Sequence, residues 1–356
     1  MISINEIGDS RFRGAPISCL LYFHSIFGQF KKRPYICNTR TPKPLYNAQI
    51  GGRFIFIPMS VNFDKPYTAP TSIVRLLSER GLEITDKNKA QHYIEHIGYY
   101  RLSAYLYPML TEPKSNHCFK PQSTFSNAMS LYRFDKKLRL FLFNEIEKIE
   151  VAFRSTIANI VAAETGNIFW MTDASMFANK AKYLRTMTLI EKELKGSKEE
   201  FIKHFKEKYS NDYPPAWMLI EILPLGIVTR IYENLASNTL RKKIAARFGL
   251  PTPVFNSWMT VVTLTRNSCC HHTRVWNKEN AITPMQIKKS NRAWISPSVS
   301  PKRIFYDICI LKWFIDIIVP NNDMKAHLKV LIAQYPNVDI TAMGFPKDWE
   351  NEPIWK

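Results

Sequence analysis

Residues 136–160 read KKLRLFLFNEIEKIEVAFRSTIANI and carry the longest apolar period of the chain. Apolar residues recur here at spacings of three and four, which is the pattern of a helix with one buried face. They are Leu138, Leu142, Ile146, Ile149, Phe153, Ile157 and Ile160. The stretch predicts one long helix of about six turns or more, and other elements must pack against its apolar face.

The opposite face of this predicted helix is polar. It holds Lys136, Lys137, Arg139, Glu147, Lys148, Glu150 and Arg154. Glu150 and Arg154 are four residues apart, so they can form an ion pair along the helix. From the pattern alone this is a solvated face with one surface ion pair of small energetic value.

The flanking sequence also predicts helices. Two short apolar periods end at Gly81 and Gly98, and two more helices are expected over residues 302–319 and 322–334, with Trp349 and Trp355 of the tail docked on the core. We therefore predict an all-α protein. The two predicted helices that end at Gly81 and Gly98 resemble a helix-turn-helix unit. A DNA-binding regulator that uses residues 73–97 is therefore a weaker alternative function.

Four segments follow from these patterns. Residues 1–58 are basic and lack a sustained period of 3.6 or 2, so we expect a poorly ordered extension; a basic arm that contacts RNA is the alternative. Residues 59–125 form an N-terminal helical unit. Residues 126–290 form the core, and residues 291–356 form C-terminal helices and a tail.

The chain is strongly basic. Its 49 Lys and Arg against 30 Asp and Glu give a formal net charge of +19, which predicts an anionic partner, with nucleic acid favoured over a membrane surface or a role in solubility alone. The six cysteines show no metal-ligand or disulfide spacing, which suits a reducing cytoplasm. No nucleotide-binding, metalloprotease or membrane-spanning pattern is present, so we expect neither a metal nor another cofactor.

Residues 265–277, TRNSCCHHTRVWN, concentrate the chemically active side chains of the chain. Thr252 offers an N-cap oxygen and Pro253 suits a first helical turn, which places this stretch at the C-terminal end of a helix. On a continuous helix Asn267, His271 and Arg274 share one stripe. Arg266 lies about 140° round the axis from His271, within reach of the same cleft for a long side chain.

An arginine and a histidine in this arrangement suit RNA cleavage. A guanidinium binds phosphate, and an imidazole with an unperturbed pKa of about 6.5 takes and gives protons near neutral pH. The 2′-hydroxyl of RNA supplies the nucleophile, so no metal is required. The plainer interpretation is a structural histidine pair at a helix end.

The stretch from Arg266 to Asn277 closely resembles a block of the Abi-like abortive-infection proteins of the AbiD/AbiF type, and Arg266 and His271 resemble the R-x4-H motif of the HEPN superfamily. Three further blocks are similar to the family in the same order. They are residues 65–70 (KPYTAP), 99–105 (YYRLSAY) and 215–221 (PAWMLIE). The resemblance runs from about Lys65 to about Asn280. Because it begins only after Met59, we expect Met59 to be the native start.

The resemblance implies a HEPN-like helical bundle, a homodimer that brings two motifs into one cleft, and a role in phage defence. It assigns catalysis to Arg266, Asn267 and His271, with His272 as an adjacent ambiguity. It also places Glu150 and Arg154 on the helix beside the motif, where they orient catalytic residues or contact RNA. Cys270 stands where the family often has alanine.

We extend the predicted RNA surface to Arg274 and to the basic stretch with Lys203, Lys206 and Lys208. For Arg274 the alternative is packing along Trp276, and for the lysines it is a solvated helix face. The favoured function is a metal-independent endoribonuclease. The alternative is an RNA-binding protein without turnover, held with a structured RNA partner.

Overall fold

The computed structural model describes residues 65–287 and 290–356 in full and, ahead of them, the backbone of residues 45–50 and 53–58. These residues form two strands and twelve α-helices, which confirms the all-α class of the core. We number them β1 (Leu45–Ile50), β2 (Arg53–Pro58), α1 (Pro70–Glu79), α2 (Lys87–Ile97), α3 (Tyr99–Leu106), α4 (Phe125–Thr165), α5 (Lys180–Gly196), α6 (Glu200–Lys208), α7 (Ala216–Leu219), α8 (Leu225–Asn234), α9 (Asn238–Arg247), α10 (Thr252–Cys270), α11 (Ile304–Ile318) and α12 (Met324–Ala333).

The chain divides into two compact units, of which the first comprises residues 1–66 and 111–117. In it β1 and β2 pair in antiparallel register, with Leu45 opposite Pro58 and Ile50 opposite Arg53. The intervening sequence is Gly-Gly, a pair typical of two-residue hairpin loops. This hairpin was not predicted from the sequence, because a strand of six residues is too short to show a sustained apolar period. The rest of the expected extension, and Met59, lie outside the described residues.

The second unit, residues 67–110 and 118–356, is built around α4. This helix has 41 residues, so it is about 60 Å long at 1.5 Å per residue. Helices α3, α9, α10, α11 and α12 pack against it. Six residues of the predicted stripe, from Leu138 to Ile157, are fully buried and Ile160 is partly buried, so the period identified the core-facing side.

Local signals fix the ends of α4 and α10. The Thr124 side chain accepts a hydrogen bond from the Asn127 amide at 3.0 Å, and Gly166 ends α4 with a φ of 67°. Helix α10 begins after Pro251, so Thr252 is its first residue and not its N-cap. The expected capping role of Thr252 was therefore wrong: its hydroxyl oxygen is buried and makes no hydrogen bond to a described residue.

The N-terminal and C-terminal helices both contribute buried apolar side chains to this unit. Helices α1–α3 share an apolar cluster with the first turns of α4, including Leu77, Ile94 and Leu102. In the tail, Trp349 and Trp355 are buried as predicted, and the Trp355 indole donates to the Cys309 sulfur at 3.3 Å. None of the described helices has the length and apolar character needed to cross a membrane.

Candidate functional site

The motif lies where α10 ends. His271 caps the helix, and its amide donates to the Asn267 carbonyl at 3.0 Å. The amides of His272 and Thr273 then donate back to the carbonyls of Cys269 and Ser268 at 3.1 and 3.0 Å. This pair of bonds is a Schellman motif, with His272 in the left-handed conformation at a φ of 55°. The helix therefore stops between the two histidines.

This ending corrects one expectation. Arg274 follows the left-handed residue, so it does not continue the stripe of Asn267 and His271. Its guanidinium donates instead to the Ala104 carbonyl at 2.7 Å and ties the loop after α10 to α3. The periodicity gave no sign of this, because a left-handed cap usually holds glycine or asparagine and here it holds histidine.

The two histidines are accessible, and Asn267 lies one turn before His271. Both His271 and His272 are exposed, while Asn267 is half-buried. The Asn267 side chain makes no hydrogen bond to another described residue, which leaves its amide able to pair with a ligand. Asn267 and His271 are four residues apart, so they lie on the same side of the helix end.

Arg266 points toward α4. Its side chain is 29 % exposed, and its Nε lies 3.6 Å from Oε2 of Glu150. This Nε is buried and donates no hydrogen bond within the described chain. A buried N–H without an acceptor is costly, so its position needs an explanation from function or packing.

Glu150 lies between two guanidinium groups. One of its oxygens pairs with Arg266, and the other accepts a hydrogen bond from Arg154. Arg154 also donates to the Ile220 carbonyl and is only 8 % exposed. The expected i, i+4 pair exists, but its interpretation as a surface ion pair was wrong, because the side chains of Arg154 and Glu150 are only 10 % and 14 % exposed. Arg154 therefore fixes the position of the Glu150 carboxylate, and Glu150 in turn pairs with Arg266.

A second buried carboxylate fixes the loop after the motif. Asp135 is fully buried, and its Oδ1 accepts from the amides of Val275 and Trp276 at 3.0 and 2.7 Å. Its Oδ2 accepts from the Tyr105 hydroxyl at 2.6 Å and pairs with Arg139. Burial, together with the nearby Asp135 charge, raises the pKa of Tyr105, so the phenol stays a donor at ordinary pH.

This Asp135 network was missed from the sequence. Arg139 was assigned to the solvated face of the long helix, yet it is 5 % exposed. Two signals were present: Asp135 and Arg139 are four residues apart, and Tyr105 ends one of the blocks shared with the resembling family.

Buried titratable groups also lie along α10. Burial raises the pKa of the Cys269 thiol to about 12, so this cysteine acts as a small apolar residue, as expected. Burial likewise raises the pKa of Asp307 to about 7, although hydrogen bonds from Thr265 and Asn280 act in the other direction. These bonds span 3.2 and 2.7 Å and attach α10 and the following loop to α11.

Helix α3 contributes one more cation to the motif. The Arg101 guanidinium donates to the His272 carbonyl, and the Arg101 side chain is otherwise exposed. Together with the bond from Arg274 to Ala104, this bond joins α3 to the loop over residues 272–274. The sequence block 99–105 drew attention to α3, but nothing in its pattern specified a contact with the motif.

The predicted RNA-contacting lysines lie on α6, whose polar face is exposed. Lys203 pairs with Glu200 at 2.6 Å, Lys206 donates to the Leu194 carbonyl at 3.2 Å, and the Lys208 ammonium lies 5.5 Å from the Tyr209 ring centre. These contacts suit a solvated helix face and leave RNA contact a prediction. Among described residues, potential metal ligands gather on α2, where His92, Glu95 and His96 are all exposed.

The family model described as Abi-like protein matches residues 92–277. The match covers more than half of the chain, so this chain belongs to the Abi-like protein family. It includes α3, α4 and the whole motif at the end of α10, while residues 65–70, the first of the resembling blocks, lie outside it. The comparisons with curated proteins and with solved structures give no match.

Proposed function

We propose that this Abi-like protein acts in abortive infection, a defence against phage, as a metal-independent endoribonuclease of the HEPN type. Its site comprises Arg266, Asn267 and His271 at the end of α10. The observation that carries the proposal is a guanidinium held in place by Glu150 on the same helix end as an accessible imidazole.

The chemistry needs only proton transfer and charge stabilisation. His271 removes the proton from the 2′-hydroxyl of RNA, and the resulting oxygen attacks the neighbouring phosphorus. The bond from phosphorus to the 5′-oxygen breaks, and that oxygen takes up a proton. The products are a 2′,3′-cyclic phosphate and a 5′-hydroxyl. Arg266 binds the phosphate and its growing negative charge, and Asn267 positions one of the reacting groups.

Glu150 serves this chemistry by orienting Arg266. A long arginine side chain loses much rotamer freedom when it is fixed, and an ion pair on a rigid helix pre-organises it. The Arg266 side chain is 29 % exposed while its Nε faces Glu150, so the terminal N–H groups of the guanidinium are the ones that would meet a phosphate oxygen. Arg154 acts indirectly, because it pairs with Glu150 and so fixes the carboxylate that orients Arg266.

Cleavage of cellular RNA in EDTA tests the proposal. Wild-type protein is expected to produce cyclic phosphate ends, whereas His271→Ala and Arg266→Ala lose cutting by a factor of about 100 or more. His272→Gly is the matched control, since glycine tolerates the left-handed conformation of this position and removes only the neighbouring imidazole. If His271→Ala keeps full activity and His272→Gly loses RNA cleavage, the general base is His272 and not His271.

The alternative function is RNA binding without turnover, together with a structured RNA partner. The net charge of +19 supports both functions equally. Absence of cutting by every form, with RNA binding retained, favours this alternative. Absence of both cutting and binding rejects the whole proposal.

We further propose that two copies of the chain share the site. Leu140, Phe143 and Val151 lie along one side of α4 and are 60 %, 39 % and 56 % exposed. Phe143 and Glu150 are seven residues apart, so they lie nearly in line on the helix. A second copy that covers this apolar face would lie beside the contact of Glu150 with Arg266.

A further inference from the structure

The solvent-facing side of α3 carries an exposed aromatic ring next to an exposed guanidinium. Tyr100 is 68 % exposed, although large aromatic side chains generally gain from burial. Arg101 follows it and is exposed as well. An exposed ring beside a cation is the combination that single-stranded nucleic acids use, because bases stack on the ring and phosphates pair with the cation.

Hydrogen bonds place this pair beside the motif. The Arg101 guanidinium donates to the backbone carbonyl of His272, one residue after the proposed base. The next turn of α3 is attached too, since the Ala104 carbonyl accepts from Arg274. Tyr100 and Ala104 are four residues apart, so they lie on the same side of α3.

The carbonyl bond uses only part of the Arg101 guanidinium. Arginine has five N–H donors in a planar fork, and Arg101 makes no other hydrogen bond or ion pair within the described chain. The remaining donors lie on an exposed side chain and are positioned for phosphate oxygens. The bond to His272 also limits the motion of the guanidinium, which lowers the entropic cost of binding.

From these contacts we propose that Tyr100 and Arg101 form a nucleotide-binding subsite for single-stranded RNA next to the proposed cleavage position. Arg101 contacts a phosphate adjacent to the scissile one, and Tyr100 stacks on an unpaired base. The location of the subsite beside a cleavage position rests on the proposed function. The subsite also defines the substrate class, which is RNA whose bases near the cleaved bond are unpaired. In a duplex that base is already stacked and does not reach the ring.

Binding measured in a His271→Ala background tests the subsite separately from cleavage. The probe is a short fluorescein-labelled single-stranded RNA of mixed sequence, followed by fluorescence anisotropy. Tyr100→Ala is expected to weaken binding about tenfold, while Tyr100→Phe binds like the parent because the ring still stacks. Tyr67→Ala, at a tyrosine that is 87 % exposed, is the matched control and should not change binding.

Arg101 is tested by the salt dependence of the same binding. Arg101→Lys keeps a charge and N–H donors, whereas Arg101→Gln removes the charge, so a purely structural role of the bond to His272 predicts no difference in salt dependence between the two variants. For Arg101→Gln the subsite predicts weaker binding and a slope of log K against log salt that is smaller by about 0.7. Arg75→Ala removes another exposed charge, on α1, and should leave both quantities unchanged.

The outcomes separate this proposal from the nuclease. Normal binding by Tyr100→Ala, or equal losses in Tyr100→Ala and Tyr67→Ala, overturns the subsite even if wild-type protein cuts RNA. Selective loss in Tyr100→Ala and Arg101→Gln supports the subsite even if no form cuts RNA. Annealing the probe to its complement should abolish the difference between Tyr100→Ala and its parent; if the difference persists on duplex, the stacking role is rejected.

Discussion

Asp307 shows how a single buried carboxyl group can stabilise the motif helix. It accepts hydrogen bonds from Thr265, the residue before Arg266, and from Asn280 in the loop that follows the motif. It is 4 % exposed, and its burial raises its pKa from 3.8 to about 7. The folded protein therefore holds a proton that the unfolded chain releases at lower pH.

This residue predicts a loss of stability as pH rises. Between the unfolded and folded pKa values the native state binds more protons, so the free energy of unfolding falls as pH increases from about 4 to about 7. The shift limits the effect to about 4 kcal/mol. The advantage of wild type over Asp307→Asn, measured by urea unfolding, should shrink over this range.

The control is Asp212→Asn, which changes an exposed carboxylate. Its difference from wild type, measured over the same pH range, is the reference for the Asp307 variant. An advantage of wild type over Asp307→Asn that grew with pH would contradict the raised pKa of Asp307.

At the scale of elements, the proposed site depends on how α4 holds α10 and its loop. Glu150 acts on the helical side of the motif and Asp135 acts on the loop side, four helical turns apart along α4. Helix α3 adds a third attachment through Tyr105, which bonds Asp135. The two histidines lie between these fixed points.

Asp135→Ala should therefore destabilise the protein by about 3–5 kcal/mol, because it leaves Arg139 buried without its counter-charge and removes the acceptor for two loop amides. Urea unfolding measures the loss, and hydrogen exchange should increase at residues 272–276. Adding Arg139→Met should recover part of the stability, since the unpaired charge is then gone. A cost below about 1 kcal/mol for Asp135→Ala, the value typical of a surface pair, would show that the network is dispensable.

The elements differ in how well the sequence predicted them. The core-facing side of α4 was predicted from the apolar spacing, because apolar side chains such as Ile146 and Ile149 are stable only when they are buried. Arg139 and Arg154 share the same helix but are buried, and charge alone could not reveal this, since each is neutralised by an acid four residues before it. Loop contacts such as Arg274 with Ala104 depend on tertiary structure and leave no periodic trace.

For the candidate site, the sequence predicted the positions of the motif residues better than their surroundings. Arg266, Asn267 and His271 were identified from one short block, and the structure places them at the end of one helix. The loop anchors and Arg101 were not identified, because they come from residues about 130 to 170 positions earlier in the chain. Side chains that act over such distances become visible only when the helices are packed.

At the scale of the whole molecule, the exposed side of α4 predicts a dimer. Leu140 and Val151 lie on the same side of the helix, eleven residues apart, and covering this side with a second copy would remove apolar surface from water. Wild-type protein should therefore run as a dimer in light scattering. Leu140→Glu and Val151→Glu should be monomeric, because each buries an unpaired charge in the interface.

Leu184→Glu is the matched control for these variants, since Leu184 is 55 % exposed and belongs to α5, whereas the proposed dimer face is on α4. It should remain dimeric and active. If the two copies share one cleft, mixing Arg266→Ala protein with His271→Ala protein should restore part of the RNA cleavage that each lacks, because a mixed dimer contains one intact arginine and one intact histidine. A monomeric wild type with full cleavage, or no recovery in dimers shown to be mixed, would rule out a shared site and leave each chain to act alone.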